Sequence, residues 1–143
     1  MTIKRLLGSA PSQVSTNKNL GDMAFQDSSA IGSNGTLGFI SGAGGAVTQL
    51  TSRTTGVTLN ASCGQITMFS AAGSATAATF TVTNSQVGIA DTIIVNQRSG
   101  TNLYVLPVTA VANGSFNITF YTTGGTSTDA PVLNFAVIKG SVN

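Results

Sequence analysis

The sequence predicts an all-β protein, with an antiparallel β-sandwich or jelly-roll-like domain preceded by an extended N-terminal arm. Three observations indicate this fold. From about Ala46 onward, apolar and polar residues alternate with the period of a half-buried strand. Clusters of Gly, Asn and Ser separate these short segments, and no segment has the length and periodicity of a convincing helix. We therefore predict an arm and Gly-rich tether over residues 1–45 and a β-sandwich domain over residues 46–143.

The first 45 residues lack this alternation. LGSAPSQVSTNKN has the composition of a loop, and IGSNGTLGFISGAGG is a Gly-rich tether around one apolar group at residues 37–40. Segments with so little apolar surface do not fold alone, but they can dock in extended form on another protein. We interpret Met23, Phe25 and Ile31 as anchors for a surface outside their own domain. The alternative is that these side chains pack back onto the sandwich.

The segments beyond the tether have the character of strands. The alternation is clearest in ATFTVTN and GSFNITFYT, where aromatic and aliphatic residues interleave with Thr and Asn. Such alternation turns one face of a strand to a core and the other to a polar surface. Connectors such as VANG supply Gly and Asn where a turn needs positive φ. The expected core consists of Phe80, Val82, Ile93, Val95, Phe116, Ile118, Phe120, Phe135 and Val137.

Two of these segments, residues 103–111 and 132–138, are apolar on both faces. The outer face of a two-sheet sandwich meets water, so a strand that is apolar on both sides needs cover on both sides. A partner subunit supplies this cover most simply, and a covering loop is the alternative. The predicted subunit contacts are Leu103, Val105, Val132 and Phe135.

The composition argues against catalysis. Charged residues make up 7% of the chain, against roughly 25% in ordinary globular proteins. The chain has no His, and general acid–base catalysis usually recruits His or a pair of carboxylates. Asp91 and Asp129 both lie beside turns, where Asp is favoured because it bonds to the local backbone. We expect no enzymatic activity, no cofactor and no metal site.

The remaining features restrict the partners and the compartment. The Lys and Arg residues are dispersed, so the net charge of +2 is not a nucleic-acid footprint. Cys63 lies in a strand-like segment and is interpreted as a small buried hydrophobe. The N-terminal basic pair is followed by only Leu6 and Leu7, which is too short for the core of a signal peptide. No stretch reaches transmembrane length, so we expect synthesis in a cytoplasm, no export and no membrane partner.

Two stretches resemble a known class of protein. LGDMAFQDSSAI is similar to a segment that marks a virion-attached N-terminal region in tailed-phage fibre and head proteins. GGAVTQLTSRTTGVTLNASCGQITMFSAA resembles the opening of a β domain in small phage and prophage structural proteins, and VLNFAVIKG resembles its closing strand. The resemblance covers roughly residues 19–139 and implies no catalytic or cofactor residues. Relatives with a fibre role are usually longer, which favours a small, copy-rich capsid protein.

The resemblance implies a capsid decoration (cement or head-fibre) protein, made in the host cytoplasm and located on the capsid surface of the virion. The expected partners are the major capsid protein and two further copies of the chain, in a homotrimer. The alternative is a tail-fibre or adhesin component that binds a host-surface glycan or protein. Sugar stacking would then use Tyr104 and Tyr121, although both positions suit packing equally well. A secreted bacterial adhesin is a third reading, and it would need a signal peptide.

Overall fold

The fold is all-β. The computed structural model describes residues 38–39 and 41–141. The chain divides into two units, Met1–Ser41 and Gly42–Asn143, and every strand described below belongs to the second unit. Within the described residues there is no helix, and hence none that is long and apolar enough to cross a membrane.

The described residues form eleven strands, most of them short. In chain order the first six are β1 (Gly44–Thr48), β2 (Val57–Thr58), β3 (Cys63–Thr67), β4 (Ala71–Ala72), β5 (Ala78–Thr83) and β6 (Thr92–Ser99). The remaining five are β7 (Tyr104–Val105), β8 (Val108–Ala112), β9 (Ser115–Thr122), β10 (Thr128–Asp129) and β11 (Val132–Ile138). The first strand begins at Gly44, two residues before the predicted start of the domain.

Two sheets contain most of the strands. One has four strands in the order β1-β3-β11-β6, and the other has the order β2-β5-β9-β7, with β8 also paired to β9. The pairs β1–β3 and β2–β5 are parallel, and the other pairs are antiparallel. The parallel pairs were not predicted, because period-two alternation carries no information on strand direction. Parallel neighbours need a crossover, and here the chain between β1 and β3 passes through β2 of the other sheet.

The core lies between the two sheets and confirms most of the predicted buried set. Eight of the nine expected core residues are buried, and the ninth, Val95, is half-buried because β6 is at the edge of its sheet. Phe116 of the five-stranded sheet meets Phe135 of the four-stranded sheet, with ring centroids 5.4 Å apart. Tilted aromatic pairs at this spacing are favourable beyond the area they bury. Gly64 leaves room for this packing, because a Cβ there would lie 2.9 Å from the ring of Phe135.

The outward face of the five-stranded sheet is a ladder of hydroxyl and amide side chains. The Thr79 and Thr119 hydroxyls are hydrogen-bonded at 2.7 Å, and the Thr81 hydroxyl donates to Oδ1 of Asn117 at 2.8 Å. Each bond joins directly opposed residues of β5 and β9. Cross-strand pairs of this kind stabilise a sheet while leaving its surface neutral. The alternation predicted for these two strands is therefore confirmed on both faces.

The turn between β8 and β9 follows the local sequence. Asn113 and Gly114 form the two-residue connection between β8 and β9, and Gly114 has a φ of 83°. Two-residue hairpins favour turns with positive φ, for which Asn-Gly is the preferred pair. The Gly114 amide also donates to the carbonyl of Val87, and its carbonyl accepts from the Asn84 amide.

The mixed apolar pattern of residues 103–111 has a local cause. These residues do not form one strand: β7 ends at Val105, Pro107 interrupts the segment, and β8 begins at Val108. The register of β8 against β9 then shifts between Val108 and Ala110. The parity of inward-facing residues therefore changes along the segment, so its two-sided apolar pattern does not require a partner subunit.

Candidate functional site

A buried cluster of polar side chains lies where several loops of the sandwich come together. Arg53 lies between β1 and β2, Asn102 and Tyr104 lie at the start of β7, and Asp129 lies in β10. All four residues are buried. Because this cluster gathers an acid, a cation and a phenol, it is the first place to look for chemistry.

Arg53 makes direct contact with three separate segments. Its Nη2 lies 2.9 Å from Oδ1 of Asp129, and its Nη1 donates to the Tyr104 hydroxyl at 2.7 Å. The guanidinium carbon also lies 5.4 Å from the centroid of the Tyr104 ring. The remaining bonds go to backbone carbonyls, those of Phe69, Ala71, Ala72 and Asp129. The N–H donors of the guanidinium are thus all engaged within the protein.

Asp129 accepts bonds from across the fold. Its Oδ1 accepts from the Tyr104 hydroxyl at 2.7 Å, and its Oδ2 accepts from the backbone amides of Thr101 at 2.8 Å and Asn102 at 3.1 Å. Burial alone would raise the pKa of Asp129, but these bonds and the Arg53 guanidinium outweigh burial and lower the pKa below its usual value of 3.8. The prediction that Asp129 serves only local turn bonds is wrong, since its partners are 27 and 28 residues away.

Tyr104 is held in its neutral form. Burial, together with the hydrogen bond to the Asp129 carboxylate, raises the pKa of Tyr104 above its usual value of 10.0. The phenol donates to Asp129 and accepts from Arg53, so its oxygen is already engaged. Its ring is 6% exposed and cannot stack on a sugar. Tyr104 is therefore a packing and hydrogen-bonding residue, whereas Tyr121 is half-buried on β9.

Two side-chain amides complete this polar framework, one buried in Gln49 and one half-buried in Gln97. Gln49 donates from Nε2 to the carbonyls of Arg53 and Thr55, and its Oε1 accepts from the Phe69 amide. Gln97 bridges the β6–β7 connection by donating to the Asn102 carbonyl and accepting from the Tyr104 amide. Among the described residues, every buried side-chain nitrogen and oxygen has a hydrogen-bond partner. These bonds hold the loops in place, because a loop that moved away would leave buried polar groups without hydrogen-bond partners, which is costly.

A second ion pair joins the turn before β6 to the segment that follows β11. Asp91 accepts from the backbone amides of Gly88 at 2.8 Å and Gly140 at 3.0 Å, and from the Lys139 ammonium. Burial opposes ionisation of Asp91, but these donors outweigh it and lower the pKa. The prediction of a local turn bond is confirmed here by the Gly88 contact. The Lys139 side chain itself is largely exposed.

A cleft of about 340 Å³ opens beside Arg53. The side chains at its mouth are mainly small and hydroxylated, namely Ser52, Thr54, Ser74 and Thr76. Tyr104 and Phe120 line its apolar wall, and both are buried. The cleft offers hydroxyls for a polar ligand but no exposed aromatic face among its described lining residues.

The four predicted subunit contacts lie in different places. Leu103 is 68% exposed in the loop before β7, and Val105 is half-buried in the five-stranded sheet. Val132 is half-buried on the outward face of β11. Phe135 is 3% exposed and belongs to the core of its own chain. Its prediction as a subunit contact is wrong, because its side chain faces the other sheet.

The outward face of the four-stranded sheet carries two exposed isoleucines among polar side chains. On β11 this face presents Val132, Asn134, Ala136 and Ile138. Ile94 of β6 lies opposite Ala136, and Thr92 of β6 lies opposite Ile138. Ile94 and Ile138 are therefore diagonal neighbours, and they are 50% and 52% exposed. Cys63 of β3, on the other side of Ala136, is half-buried, and burial raises the pKa of its thiol.

The predicted attachment residues Met23, Phe25 and Ile31 lie outside the described residues. Phe39 is described and lies outside any strand. Residues 38–39 and 41–141 contain no group of three His, Cys, Asp or Glu side chains that could hold a metal ion.

Comparison with known proteins adds no family assignment. The chain matches no protein-family model, no curated protein and no solved structure. The class defined by the described residues is thus an all-β sandwich with a fully satisfied polar interior and a weakly charged surface.

Proposed function

We propose that this chain is a structural protein of a tailed-phage virion that decorates the outside of the assembled capsid. The proposal starts from the resemblance of residues 19–139 to small virion proteins. Its function is binding and not catalysis, and its partner is the major capsid protein. The predicted homotrimer stays part of this expectation, and it rests on the same resemblance.

The observation that carries the proposal is the nearly uncharged surface of the sandwich. The described part of the chain has five charged side chains, Arg53, Asp91, Arg98, Asp129 and Lys139. Both carboxylates are buried and paired, and Arg53 is buried with one of them. Only Arg98 and Lys139 expose charge. Because charged groups are costly to strip of water, a surface with so few of them suits a protein that is packed against others.

The proposed mechanism is stabilisation by mass action. A ligand that binds the assembled shell but not its dissociated subunits stabilises the shell, by about 2.7 kcal/mol per site when its free concentration is one hundred times its Kd. No chemical step is needed, which agrees with a polar interior whose donors and acceptors are all engaged.

The alternative proposal is a tail-fibre or adhesin component that binds a host-surface glycan or protein. The hydroxyl-lined cleft beside Arg53 favours it, since sugars bind through hydrogen bonds as well as stacking. The burial of Tyr104 counts against it, because stacking needs an exposed ring.

The attachment arm supplies the test of the proposed function. We expect the full-length double variant Met23→Ser, Phe25→Ser to lose attachment to assembled capsids while the melting temperature of the free protein is unchanged. Burying each side chain contributes about 1.5–3 kcal/mol, and several arms that bind together multiply the effect. Co-sedimentation with capsids measures attachment, and differential scanning calorimetry measures the melting temperature.

Leu50→Ser is the matched control, because it removes an 82% exposed apolar side chain from the sandwich unit. This variant should attach like the wild type. A lower melting temperature of the double variant would contradict the arm hypothesis, since it would mean that the segment packs on its own domain.

A further inference from the structure

β6 is an edge strand with an unpaired side. It is the outermost strand of the four-stranded sheet, and within the described residues its backbone pairs with β11 alone. At eight residues it is also the longest edge strand of either sheet, and it contains neither Gly nor Pro. An exposed edge of this kind presents a row of free N–H and C=O groups to any second strand that can reach it.

Only one end of this edge carries protection. Near Ser99 the register against β11 shifts, and the charged Arg98 lies at this irregular point. Bulges and charged side chains are the usual devices that prevent strands from adding to an edge. The stretch from Thr92 to Asn96 has neither device, and it carries the half-exposed Ile94 at its centre.

We propose that β6 pairs in antiparallel fashion with β6 of a second copy of this chain, across a twofold axis at Ile94. The pairing joins two four-stranded sheets into one continuous eight-stranded sheet. A twofold contact is self-complementary, so one patch serves both subunits. This inference goes beyond the proposed function and does not depend on it, and its twofold dimer is an alternative to the homotrimer expected from the resemblance.

The register follows from the side chains. When Ile94 lies opposite Ile94 of the second copy, Ile93 lies opposite Val95 and Thr92 opposite Asn96, so the pairing uses only the unprotected stretch. The outward faces of the two sheets then coincide, because directly opposed residues share a face. Ile138, the diagonal neighbour of Ile94, extends the contact into an apolar stripe of four isoleucines across the axis.

Charge favours the same register. In the pairing centred on Ile94 the two Arg98 side chains lie at opposite ends, roughly 26 Å apart along the strands at about 3.3 Å per residue. That separation exceeds the Debye length of about 8 Å at physiological ionic strength, so their repulsion is screened. A pairing centred on Asn96 would instead place Arg98 opposite Ile94. One centred on Arg98 would oppose two like charges.

The experiment compares full-length variants by sedimentation velocity over a range of protein concentrations. The wild type should form a dimer, and Ile94→Lys should raise its dissociation constant by roughly tenfold or more, because it replaces an apolar contact with opposed like charges. Leu50→Lys is the matched control, since it adds the same charge at an 82% exposed position outside β6 and outside the predicted subunit contacts. This control should dimerise like the wild type.

Cross-linking tests the register independently and does not require a charged substitution. In a Cys63→Ser background, Ile94→Cys should give a covalent dimer on mild oxidation, because directly opposed residues lie within the Cα separation of a disulfide. Ile89→Cys, at a 63% exposed position before β6, should give none. A wild type that stays monomeric, or a dimer or trimer whose mass is insensitive to Ile94→Lys, would overturn the proposal. A trimer would support the threefold arrangement expected from the resemblance.

Discussion

Replacing Phe116 by alanine is expected to lower the free energy of unfolding by about 3–5 kcal/mol. Phe116 is 1% exposed, lies near the start of β9 and packs against Phe135 across the interface between the two sheets. Alanine would leave a cavity that these sheets cannot close, because each is held in register by its own strand pairs. Since domains of this size are stable by about 5–15 kcal/mol, the loss is a large part of the total. Urea denaturation measures it.

The control for Phe116→Ala is Tyr121→Ala. This change also removes an aromatic ring from β9, but the Tyr121 side chain points away from the core and is half-buried. It should cost clearly less than Phe116→Ala. If Phe116→Ala melts like the wild type, the assignment of strand faces in β9 is incorrect.

The second large effect is expected for Arg53→Met, which should cost about 3–5 kcal/mol because it leaves the buried carboxylate of Asp129 without its cation. The change also removes donors from the backbone carbonyls of Phe69, Ala71 and Ala72. Arg98→Met is the matched control, since Arg98 is exposed and contacts only the Gln65 side chain among the described residues. Equal stability of the two variants in urea would contradict the structural role of the Arg53 cluster.

The pH dependence of stability, compared between the wild type and Arg53→Met, gives a second test of the Arg53–Asp129 ion pair. In the wild type the pKa of Asp129 is below 3.8. Its ionised form therefore contributes stability that is complete above about pH 4 and is lost as the pH falls through the lowered pKa. Without Arg53 the pKa of Asp129 rises, so Arg53→Met should begin to unfold at a higher pH than the wild type. Acid titration followed by circular dichroism would show the shift.

Local patterns predicted the framework of the sandwich well. Alternation in β5 and β9 identified the buried faces of these strands, because each has one face on a continuous core. The Asn113–Gly114 turn was predictable because its backbone conformation is set by two adjacent residues. Such features depend on a few neighbours in the sequence, and so the sequence displays them.

Features that depend on distant partners were missed. Arg53 and Asp129 are 76 residues apart, and nothing near either residue indicates that it is buried. The parallel pairing of β1 with β3 depends on how the chain crosses between sheets, which alternation does not encode. The apolar residues of 103–111 suggested a covered strand, whereas Pro107 and a register shift account for them. In each case the determining contact lies outside the window that a local pattern spans.

The location of this chain on the virus particle tests whether it decorates an assembled capsid, as we propose. Purified virions would be labelled with an antibody raised against residues 42–143 and imaged by electron microscopy. We expect many labels spread over the head surface. Label confined to the tail would contradict it and would support the alternative of a fibre or adhesin component, and purified particles without label would contradict both.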